Sequence, residues 1–78
     1  MEIKERIKKD IEAFDKNIDE MQKAKISAGA EKIVEMALMY RKDAQSYLEK
    51  EDLYTSFSCI SYAHGLLDAV RGVYGKIQ

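Results

Sequence analysis

The sequence predicts an all-α protein, an up-down-up three-helix bundle with helices over about residues 2–25, 29–50 and 53–74. Three observations lead there. The 78 residues include no Pro and only four Gly, so nothing interrupts long helices. Apolar residues recur at alternating spacings of three and four along the chain. Charge also thins toward the C-terminus: beyond Glu51 only Asp52, Asp68, Arg71 and Lys76 are charged. A helix charged on most sides lies outside, whereas one nearly free of charge is buried on several, so the last third is expected to be the central element.

The first helix carries Ile7, Ile11, Phe14, Ile18 and Met21, a heptad-like stripe with charged residues between them. Glu5–Lys9 and Glu12–Lys16 lie four apart with the acid first, the favourable order on a helix. The segment Ile26-Ser27-Ala28-Gly29 breaks the pattern; Ser27 is suited to cap the next helix and Gly29 to turn the chain. In the second helix Ala30, Ile33, Ala37, Tyr40, Ala44 and Tyr47 form the stripe, broadened by Val34, Leu38 and Leu48. Ala37 and Ala44 leave room for a close neighbour. Asp52 is a natural N-cap for the third helix. That helix has one side of Phe57, Ile60, His64, Leu67, Arg71 and Tyr74, and a second of Cys59, Ala63, Leu66, Val70 and Val73. Gly72 and Gly75 weaken its end, with fraying expected beyond Tyr74.

Composition bounds the function. At 46% hydrophobic and 35% charged residues the chain is foldable and forms one domain over residues 1–78. Lys+Arg 13 against Asp+Glu 14 gives a net charge of −1 and a pI near 5.8, which argues against nucleic acid or an anionic membrane as partner. The lone Cys59 excludes an internal disulfide and a cysteine zinc site. No run of about 20 apolar residues is available to span a membrane, and the charged start has no signal-peptide core, so a soluble, cytoplasmic protein is expected.

Chemistry-bearing residues are few. His64 and Asp68 stand four apart on the third helix, so the carboxylate could orient the imidazole as a general base or metal ligand, or simply satisfy a half-buried histidine. A metal site would also need Asp43 from the second helix. Tyr40, Asp43, Tyr47, Tyr62, His64 and Asp68 are candidates for one polar cluster between helices two and three. The cluster reads either as a network fixing helix register through tyrosine hydroxyls, as a ligand or partner pocket, or as a hydrolytic centre. No catalytic residue or metal ligand is assigned. No phosphate-binding, dinucleotide or zinc-protease motif is present, so no cofactor is expected. Thr55, Ser56, Ser58 and Ser61 have neither a glycine elbow nor a neighbouring base.

The run Tyr40-Arg41-Lys42-Asp43-Ala44-Gln45-Ser46-Tyr47-Leu48-Glu49-Lys50, followed by Asp52, Phe57 and Tyr62-Ala63-His64-Gly65-Leu66-Leu67-Asp68-Ala69, resembles the archaeal family of short proteins catalogued as domain of unknown function 357. The resemblance covers about residues 30–74 and is strongest over Tyr62–Ala69. Residues 1–25 share with the family only a charged amphipathic helix. It implies a compact helical protein from an archaeon, without an established activity. Glu51 departs from the family pattern, which has Gly there. A left-handed C-cap at that residue would cost a non-glycine on the order of 1 kcal/mol, unless the turn closes differently. The same helix pair also looks like one tetratricopeptide unit, a likeness of fold only.

A bundle this small draws only a few kcal/mol from its own core. The third helix is apolar on more than the single stripe a three-helix bundle needs. The sequence therefore points to an interaction module using helices two and three, as a homo-oligomer or on a partner protein. A small-ligand, metal-binding or nuclease-like hydrolytic protein centred on His64 and Asp68 is the alternative.

Overall fold

The five apolar residues Ile7, Ile11, Phe14, Ile18 and Met21 can be buried together only on a helix, and in a computed structural model of the chain they are. The structure describes residues 2–22 and 28–73, and among these there is no strand. Three helices follow one another: α1 (Ile3–Gln22), α2 (Ala28–Glu49) and α3 (Leu53–Val73). The expected end of α1 near residue 25, the Ser27 cap and the fraying beyond Tyr74 lie outside the described residues. Gly29 does not turn the chain; it sits in the first turn of α2, which is already helical at Ala28. Among the described residues no helix is long and apolar enough to cross a membrane.

Helix α3 packs on both of its neighbours, most closely on α2, while α1 lies chiefly against α3 and touches α2 less. This is the central position its low charge requires. Its buried line is Ser56, Ile60, Ala63, Leu67 and Val70, spaced 4, 3, 4, 3. That line runs between the two apolar sides read from the sequence, leaving Phe57, Cys59, His64 and Leu66 half-buried along its margins. The core line of α2 is likewise turned from the predicted stripe. Ala30, Val34, Ala37, Ala44 and Leu48 are buried, whereas Ile33, Tyr40 and Tyr47 are only half-buried. A helix flanked on two sides buries the strip between its contacts, so the deepest residues are those shared by both faces.

Ala37 and Ala44 are fully buried and set α2 close against α3. Ser56 is the only buried polar side chain among the described residues. It satisfies its hydroxyl by donating to the Ala44 carbonyl at 2.7 Å. Position 41 continues the buried line of α2, and it holds an arginine. The guanidinium emerges toward α1 and grips Asp15 with two bonds, Nε to Oδ1 and Nη2 to Oδ2, both 2.8 Å. That hydrogen bond raises the guanidinium's pKa further above its ordinary value, against the opposing effect of burial. The arginine's stem can then cover apolar surface while its head stays partly in water.

The three-residue turn between α2 and α3 shows how the chain accommodates Glu51. The Asp52 N–H donates to the Tyr47 carbonyl at 2.9 Å and the Glu51 N–H to the Leu48 carbonyl at 3.1 Å, the paired bonds of a Schellman cap. The cap requires a left-handed residue at position 51, and Glu51 takes it with φ of 64°. Asp52 then starts α3 at once: its carboxylate accepts from the Thr55 N–H at 3.2 Å and its carbonyl from the Ser56 N–H at 3.0 Å. The Glu51 side chain is used as well. Its Oε1 lies 2.6 Å from the Lys4 ammonium, tying the start of α1 to the turn and raising the lysine's pKa.

Replacing Glu51 by Gly should remove the left-handed strain and raise stability by about 1 kcal/mol, a Tm gain of roughly 4–8 °C, although the Lys4 contact is lost. A thermal melt monitored by circular dichroism checks this; a fall in Tm would mean that the exposed ion pair outweighs the strain.

Candidate functional site

The residues nominated from the sequence divide between two faces of α3. His64 belongs to the α1 side. Its Nε2 lies 2.8 Å from the Asp10 carbonyl oxygen, and its ring meets Phe14 edge-on with centroids 5.7 Å apart at 89°. A carbonyl only accepts, so Nε2 carries the proton and donates it. The ring does not turn to Asp68, which is exposed and makes no hydrogen bond to it. The physical reason is burial. The half-buried imidazole finds an acceptor and an aromatic edge on α1, whereas Asp68 faces water.

Tyr40 and Tyr62 belong to the other side, where α2 and α3 pass away from α1. Their rings meet at 4.6 Å and 75°, an edge-to-face pair across the two helices. Asp43 lies one turn along from Tyr40 and, with Met36, Met39 and Tyr40, lines a shallow depression of about 200 Å³. Tyr47 is capped by the Lys50 ammonium, 5.4 Å from its ring centre. The structure thus brings Tyr40, Tyr62 and Asp43 to one strip, places Tyr47 further along α2, and sends His64 to the opposite seam. None of these three tyrosine hydroxyls makes a hydrogen bond within the described residues; Ser56 holds the register instead.

Cys59 is half-buried on the same side as Asp43. Burial, and then the charges of Asp43 and Asp52, raise its thiol pKa, which keeps it protonated and poorly nucleophilic. Among the described residues no three His, Cys, Asp or Glu side chains come together to hold a metal ion. A second groove of about 310 Å³ lies between α1 and α2, lined by Lys8, Glu12, Asp15, Arg41 and Gln45 over Ile11 and Leu48. The Arg41–Asp15 grip crosses it and is not among the contacts expected from the sequence. The signal was there: in the line Ala30, Val34, Ala37, Arg41, Ala44, Leu48 the arginine stands at a core position and demands an anion from a neighbour.

With this geometry in hand the comparison with known families is direct. Residues 9–75 match the family described as Protein of unknown function (DUF357), and that is well over half of the chain. The chain belongs to the DUF357 family. No curated protein matches it. The family match spans all of α2 and α3 together with α1 from residue 9, so it includes Asp10 as well as His64. The bond between them joins the first and last helices of this DUF357 protein.

Two measurements test these assignments. Removing the cross-helix bond and the ring contact in His64→Ala should cost about 1–3 kcal/mol, whereas Asp68→Asn should stay within about 0.5 kcal/mol of the native protein. Chemical denaturation distinguishes them, and equal losses would place Asp68 in the same network. For Cys59, iodoacetamide at pH 8 should react more slowly than with free cysteine, and Asp43→Asn should speed the reaction by removing a nearby negative charge.

Proposed function

We propose that this DUF357 protein is a helical interaction module whose working surface is the outer strip of the α2–α3 pair. One observation carries the reading: Met36, Met39 and Tyr62 stay 43%, 66% and 51% exposed on the strip that holds Tyr40 and Asp43. A cluster of exposed methionine and tyrosine costs hydration unless something covers it. Methionine is flexible and polarisable enough to mould to a partner, and tyrosine offers apolar area with a polar tip. The strip follows two antiparallel helices, so the natural occupant is another α-helix laid along it, as in a four-helix bundle.

His64 supports the same reading from the other side. With Nε2 given to the Asp10 carbonyl, the imidazole serves to hold α1 on α3 and leaves the α2–α3 strip as the free surface. A free, half-buried thiol at Cys59 suits work in a reducing compartment such as the cytoplasm.

Photo-cross-linking tests the assignment. A benzophenone amino acid in place of Met39, irradiated in the native host, should give a cross-linked species of discrete mass. The same group at Tyr54, which is 88% exposed, should give none. Equal capture from both positions, or none from Met39, would overturn the proposal.

A further inference from the structure

Outside its core line, α2 carries a second heptad-spaced row: Lys32, Met36, Met39 and Asp43, at intervals of 4, 3 and 4. All four are exposed, and neither Lys32 nor Asp43 has an ion-pair partner within the described residues. The row reads basic, apolar, apolar, acidic, and its positions are symmetric about a point midway between residues 37 and 38, with opposite charges at the two ends. We propose that the row is one half of an antiparallel, two-fold interface, and that the strip's occupant is a second copy of this chain. The inference rests on the reading of the strip as an interaction surface and names the partner.

Charge complementarity selects this occupant. A two-fold axis through the midpoint sets Met36 of one copy against Met39 of the other, twice. It sets Lys32 of one copy against Asp43 of the other, also twice. In a heptad frame these are the a-to-d contacts of an antiparallel coiled coil. Gly29 and Ser46, the next positions outward on the row, face each other in the same scheme and are small enough to let the helix ends close in.

The flanking positions agree. On one flank Glu35 of one copy faces Lys42 of the other, both exposed in the single chain. On the other flank lie Ile33 and Tyr40, half-buried and largely apolar, with Tyr62 edge-to-face against Tyr40. A parallel pairing would place Lys32 on Lys32 and Asp43 on Asp43, like charge on like, so the pattern selects the antiparallel arrangement. The shallow depression lined by Met36, Met39, Tyr40 and Asp43 lies where the opposing methionine arrives. An isologous interface demands this property, that each residue find its complement on the same surface of the other copy.

A single helix crossing of this length buries less than the ~1,200 Å² of stable complexes, so the dimer is weak and concentration-dependent. Sedimentation of the full chain from about 10 μM to 1 mM should show a monomer–dimer equilibrium that weakens with added salt. Asp43→Lys turns two attractive contacts into two repulsive ones and should weaken association about tenfold or more. The charge swap Lys32→Asp with Asp43→Lys should restore it to within a few-fold of native. Met39→Glu should abolish it. All these positions are exposed, so unchanged circular dichroism melts will show that the variants fold. A dimer indifferent to Asp43→Lys, or not restored by the swap, overturns this pairing. A monomer at every concentration whose Met39 position cross-links to a different chain also overturns the pairing while keeping the broader interaction reading. A monomer that gives no Met39 cross-link overturns both.

Discussion

A hydroxyl buried away from water must find an acceptor, and Ser56, beneath the crossing of α2 and α3, finds one across the pair in the Ala44 carbonyl at 2.7 Å. Much else follows from that constraint. The bond sets the register of the helix pair, and Ala37 and Ala44 make the approach close enough for it to form. A one-turn slip would break this bond, worth about 1 kcal/mol, and leave the hydroxyl only its own helix to donate to, as Ser58 does to the Tyr54 carbonyl. The three-residue turn beside this crossing closes as a Schellman cap, which places Glu51 in the left-handed region.

The same device recurs on the other side of α3. His64 donates to the Asp10 carbonyl of α1 as Ser56 donates to the Ala44 carbonyl of α2. Both acceptors lie inside helices, where a carbonyl can take a second hydrogen bond besides its own helical one. The central helix is thus attached to each neighbour by one side-chain bond to the backbone. Around the rim, Lys4–Glu51 and Arg41–Asp15 are the charged links, and both are partly exposed and screened. They orient α1 more than they stabilise it. Burial of Ile7, Ile11, Phe14, Ile18 and Met21 holds it in place.

This arrangement separates structure from surface. On the α1 side His64, Lys4 and Arg41 each make a polar contact that holds the bundle. Across α3, the α2 flank keeps Met36, Met39, Tyr40, Asp43 and Tyr62 together with fewer internal obligations. The division accounts for why the six residues first grouped on chemical grounds do not act as one cluster. The sequence suggests that they share the seam between helices two and three, while their places depend on which neighbour each side of α3 meets, and His64 meets α1.

The sequence by itself determined three helices, their order and the position of α3 at the centre, because periodicity and charge density act locally along the chain. It also marked position 51, through the family resemblance, as the place where a left-handed residue would be strained, and the structure's cap decided that Glu51 takes that conformation. Only the tertiary structure decided the partners. His64 had an acceptor four residues away in Asp68, yet it bonds to Asp10, a contact spanning 54 positions. Ser56, unremarkable among four hydroxyl residues, proved to be the buried register bond. Helical spacing tells which residues share a face, and it is silent on which neighbouring backbone that face will meet. That depends on how far each helix rotates to bury its widest apolar strip against two neighbours at once.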